Sequence, residues 1–213
     1  MAKDPLDEFF DSNSLRVHSS PRKLANVVRA AYPIGVPALI MKSSTDRYGE
    51  AAGYSFHLGT PDENLRRIAS WLLTNVRGEQ KVLSKLVRRL WKRHGREDVA
   101  LAALLIANLD HKSLGTDPWS MLASNISRKE PAEALLLTIE EVLRAGKSLP
   151  SENQLMAWCK GRTIDGHLAV LVLHAATMRG DRVSSEVAEA IQSVSVPPGD
   201  SLLARIKARI VTG

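Results

Sequence analysis

The chain has 213 residues, 44% hydrophobic and only 5% aromatic, with one cysteine, Cys159, which excludes an internal disulfide and favours a reducing compartment. The N-terminus, MAKDPLDEFF, lacks the apolar core of a signal peptide, and the longest apolar stretch, Val99 to Ala107, is too short to span a bilayer, so a cytoplasmic protein without a membrane partner is expected. A net charge of +6 and a pI of about 9.6 raise the odds of a polyanionic partner.

Residues 1–20 mix Asp, Glu, Ser and Asn with scattered apolar residues and read as a loose, disordered tail. From Pro21 the chain reads as helices separated by short breakers, one domain over 21–213. Pro21 opens a helix through Tyr32, and Pro37 opens another to about Arg47. Gly59-Thr60-Pro61-Asp62-Glu63 is a helix start, with Thr60 as cap and acids in the first turn of a helix to about Val76. In Glu79 to His94, Val82, Leu83, Leu86, Val87, Leu90 and Trp91 share one face, while Lys81, Lys85, Arg88, Arg89 and Lys92 fill the opposite one. Glu97 to Leu109 is apolar almost all round and is expected to be buried on several sides.

This order, a one-sided helix and then a heavily buried one, recurs downstream. Glu133 to Ala145 and Glu152 to Lys160 are followed by Gly166 to Met178, again apolar nearly throughout. Helices around Val187–Val194 and Leu202–Ile210 complete the chain. Helix pairs at roughly 35–45-residue spacing predict an all-α, HEAT-like/ARM-type right-handed superhelix of antiparallel pairs; an irregular helical domain is the alternative.

Tyr54-Ser55-Phe56-His57-Leu58-Gly59-Thr60-Pro61, then Leu90-Trp91, then Arg96-Glu97 opening Ala100-Leu101-Ala102-Ala103-Leu104 resemble the DNA alkylation repair glycosylase (AlkD-like) family. The resemblance implies a HEAT-like superhelix with a concave, basic face that binds duplex DNA. It further implies a catalytic aspartate four residues after a tryptophan, and an arginine early in a later apolar helix. Trp119 is similar to that tryptophan and is expected to reach the groove. Ala123 stands where the aspartate is expected, and His167 or Leu168 where the arginine is. Ser201 to Val211 lacks the aromatic that the family's last helix supplies. Asp165, just before the second apolar helix, is the best substitute acid, and capping that helix is its alternative role. Asp117, before Pro118, reads as a cap.

Two sets of cations are candidates for phosphate contact. By the resemblance, the concave layer presents Arg66, Arg67, Lys112, Arg128, Lys129, Arg162 and Arg179. The outer layer presents Lys85, Arg88, Arg89 and Lys92 with Lys81. Arg66 to Arg96 holds ten Lys/Arg and one acid, Glu79, and so uniform a face suggests a partner because like charges at i, i+4 repel. His167 and His174 are seven apart, two turns instead of the one a chelating pair needs, and neither a metal nor a cofactor is expected. Cys159, Trp71, Trp91 and Trp158 read as core. The expected function is duplex-DNA binding related to DNA repair, with the catalytic residues not kept. An active glycosylase and a protein-binding adaptor are the alternatives.

Overall fold

The computed structural model describes residues 3–48, 53–76, 79–127, 130–182, 184–199 and 201–212. Among these every regular element is helical: thirteen α-helices and one 3-10 turn, the all-α class that the periodicity predicts. The chain packs as two compact units, Met1–Pro118 and Trp119–Gly213.

The first unit holds α1 (Pro5–Ser12), a 3-10 turn (Leu15–Ser19), α2 (Pro21–Ala31), α3 (Ala38–Tyr48), α4 (Asp62–Asn75), α5 (Gln80–Arg93), α6 (Arg96–Asn108) and α7 (His111–Leu114). The loose-tail expectation for residues 1–20 is corrected by α1. Asp4 caps it by accepting the Leu6 N–H at 2.9 Å, Pro5 takes the first helical position, and Leu6 and Phe10, four apart, are buried. The Phe10 ring stacks on Trp71 at 4.7 Å with an interplanar angle of 10°. A second correction concerns Thr60. Its hydroxyl donates to the Tyr32 carbonyl at 2.9 Å, and Pro61 occupies the cap position of α4 without a side-chain bond. Asp62 and Glu63 still stand in the first turn, where the helix dipole favours them.

Helix α6 is the centre of this unit, packed against both α4 and α5, and buried from Glu97 through Ala107. Its apolar circumference explains that position, since no face prefers water. Two acids are buried with it. The Glu97 carboxylate, 0% exposed, accepts the backbone N–H groups of Leu58, Gly59 and Thr60 at 2.8, 3.0 and 3.4 Å through Oε1. Asp98 accepts from Arg93 at 2.5 and 2.6 Å and from the Tyr32 hydroxyl at 2.8 Å. Burial pulls the Arg93 guanidinium down, but the Asp98 bond and charge outweigh it and leave the group raised. The 54–60 loop closes over the α5–α6 corner. Ser55 N–H donates to the His94 carbonyl and Arg96 N–H to the Phe56 carbonyl, at 2.9 and 2.8 Å. Gly95 is required there, because a Cβ would lie 1.9 Å from the Phe56 ring. The residues that carry the family resemblance thus act together as scaffold.

The second unit holds α8 (Pro118–Asn125), α9 (Ala132–Arg144), α10 (Glu152–Cys159), α11 (Thr163–Met178), α12 (Ser185–Gln192) and α13 (Leu202–Thr212). Helix α11 repeats the role of α6, packing against α9, α10, α12 and α13. It starts at Thr163, three residues before the expected Gly166, because Asp165 caps it from within. Gly166 instead lets α11 approach Val194, whose Cγ1 would lie 2.8 Å from an added Cβ.

Candidate nucleic-acid interface

Helix α5 separates its two faces cleanly. Leu83, Leu86, Val87, Leu90 and Trp91 are buried, whereas Lys81, Lys85, Arg88, Arg89 and Lys92 are all exposed. At 3.6 residues per turn these five cations occupy an arc of about 100° and a length of about 16 Å. None of the five forms an ion pair among the described residues. Their i,i+3 and i,i+4 spacings make like-charge contacts of about 0.2–0.5 kcal/mol each, so the bare face costs the helix roughly 1–2 kcal/mol.

The cations that the resemblance assigns to a concave layer differ. Arg66 pairs with Asp62 at 2.7 Å. Arg67 is clasped by Asp4 and Asp7, each at 2.8 Å. Arg162 pairs with Asp165 at 2.6 Å and Arg179 with Glu140 at 3.3 Å. Exposed pairs of this kind contribute at most about 1 kcal/mol to stability. Each nonetheless cancels the field that a phosphate would feel. Lys112 is exposed on α7 with no ion pair among the described residues. Arg128 and Lys129 lie outside the described residues.

The residues considered for catalysis stand in structural positions. Trp119, expected to reach a groove, is 2% exposed, and its Nε1–H donates to the Ser148 carbonyl at 2.8 Å. That expectation is corrected: a large ring with one donor is satisfied inside the unit. Asp165 accepts the Arg162 backbone N–H at 3.1 Å and the Arg162 Nε–H and Nη2–H at 2.9 and 2.6 Å. The same guanidinium donates to the Ala123 carbonyl at 2.9 Å, tying the start of α11 to α8. The Asp165 hydrogen bond holds Arg162 above its ordinary range. Asp165 is therefore a cap and ion-pair partner, the alternative that the sequence left open.

His167 is half-buried, and its Nε2 lies 3.0 Å from the Ser195 carbonyl. It lines a cavity of about 300 Å³ with Glu130 and the aliphatic side chains of Leu135, Ile164, Leu171 and Leu202. A carboxylate against aliphatic walls does not draw phosphate, so this cavity is not part of the cationic surface. Burial lowers the His167 pKa below 6.5, partly offset by the Ser195 carbonyl, and burial also lowers that of His18. In both cases the folded state favours the neutral ring, and the unfolded chain takes its proton first. Stability is then full above the unfolded value and falls as pH drops through the lower folded one. Thermal melts should show a lower Tm at about pH 5.5 than at about pH 7.5, with a smaller difference in His167→Gln. An unchanged difference in that variant would remove His167 as a cause.

Among the described residues no group of three or more His, Cys, Asp or Glu is arranged so that it could hold a metal ion, and no described helix is long and apolar enough to cross a membrane. Sequence reasoning missed the buried Glu97–Asp98 pair. The available signal was two adjacent acids opening a helix with no other charge beyond its first residue. In comparison with known proteins, no family model, no curated protein and no solved structure matches the chain.

Proposed function

We propose that the protein binds duplex DNA through its phosphates, using the outer face of α5, as a HEAT-like superhelical protein that has not kept a glycosylase site. The observation that carries this reading is the row of five exposed, unopposed cations on α5. Contacts of this kind position a duplex without reading its sequence. A duplex is favoured over a single strand because the aromatic side chains described are buried or half-buried and offer stacked bases little platform. Excision of a base also needs a pocket for the flipped base and a carboxylate near the charge developing on the sugar. Burial of Trp119, pairing of Asp165 and the presence of Ala123 all support a binding role without that chemistry.

Salt dependence tests the reading. If three to five phosphates are engaged, affinity should fall by roughly 100-fold between about 50 and 200 mM salt, with little dependence on sequence. A flat salt response would favour the adaptor reading. That second reading has its own observation: Leu39 and Ile40, adjacent on α3, are 78% and 49% exposed.

A further inference from the structure

Arg67 stands apart from the other paired cations. Asp4 takes its Nη1 and Nη2 at 3.3 and 2.8 Å in a forked arrangement, and Asp7 adds a third contact to Nη2 at 2.8 Å. Two carboxylates converging on one guanidinium present the oxygens that a phosphate would present. One is the cap residue of α1 and the other lies in its first turn, and this eight-residue helix buries only Leu6 and Phe10 and rests its Phe10 ring on Trp71 of α4. A short helix with so little buried surface is among the first elements to open locally.

We propose that Arg67 is a second phosphate-binding site, filled in this state by the Asp4 and Asp7 carboxylates of α1, which act as an intramolecular mimic of the DNA backbone. The inference rests on the duplex-binding reading above and adds a mode of regulation to it. The mutual effect of the charges agrees with a tight clasp. The Arg67 hydrogen bond holds the Asp4 carboxyl below its ordinary range, and Asp4 and Asp7 together hold Arg67 well above its own. Displacement of α1, by a competing polyanion or by charge neutralisation, frees the guanidinium and adds one phosphate contact.

The test uses the full chain and fluorescence anisotropy with a labelled DNA duplex. Asp4→Asn with Asp7→Asn removes the mimic while keeping the cap, since Asn caps a helix as well as Asp. Glu8→Gln with Glu63→Gln makes the same change in net charge in the same unit without touching Arg67. The first pair should tighten binding several-fold and steepen the salt slope by about one unit, and the second should not steepen it. Adding Arg67→Ala to the first pair should abolish the gain. Equal effects of the two pairs, or a gain that survives Arg67→Ala, would overturn the masked site while leaving the α5 reading intact. Binding by the Asn pair alone, with none by the parent, would support the masked site and overturn the α5 reading. No binding by any variant would overturn both.

Discussion

Truncating Glu97 to alanine is expected to destabilise the first unit by about 3–5 kcal/mol, a fall in Tm on the order of 10 °C. The side chain is fully buried, and its Oε1 is the acceptor for three consecutive backbone N–H groups of the 58–60 loop. Removing it takes the acceptor from two half-buried donors and one buried donor, and an unsatisfied buried donor costs about 1–3 kcal/mol. The position of Glu97 near the N-terminus of α6 adds a favourable dipole contribution that is also lost. Glu97→Gln keeps an amide oxygen at the same point and is expected to cost less than half as much. The loss should appear in denaturant melts as a lower midpoint. A cost below about 1 kcal/mol for the alanine variant would mean that water replaces the carboxylate and that the loop is held by Tyr54 to Phe56 instead.

The helices were legible where their periodicity was long. Predicted and observed bounds of α5 differ by one residue at each end, and α6 and α11 were recognised as buried because apolar residues surround them. Helix α1 was not legible. Eight residues are too few for a period to show, and its anchors, Trp71 and Arg67, lie far along the chain. The same distance hid the state of the cations. Arg66 pairs with a residue four positions away and was readable in principle, whereas the Arg67 clasp joins α4 to residues near the start of the chain. Trp119 was misplaced because a tryptophan beside a helix start fits both a groove and a core. Only the Ser148 carbonyl, on the connection before α10, decides between them. The Asp165 cap was among the alternatives that the residues offered, and its local bond to Arg162 is the kind of contact a sequence can carry.

By the proposed reading the bare cations of α5, and not the paired cations of α4, hold duplex DNA. Affinity of a labelled duplex at about 0.1 M salt should be compared among the parent, Lys85→Gln/Arg88→Gln/Arg89→Gln/Lys92→Gln, and Arg66→Gln/Arg67→Gln. These side chains are exposed and carry no buried packing at their charged ends, so the α5 variant should fold, and loss of like-charge repulsion should if anything stabilise its helix. The α5 variant should bind about 100-fold more weakly, with a salt slope reduced by about 3–4. The α4 variant should stay within about threefold of the parent, because its charges are already met by Asp62, Asp4 and Asp7. Parent-like affinity and salt slope in the α5 variant, or an equal loss in the α4 variant, would mean that the α5 cations are not what holds the duplex.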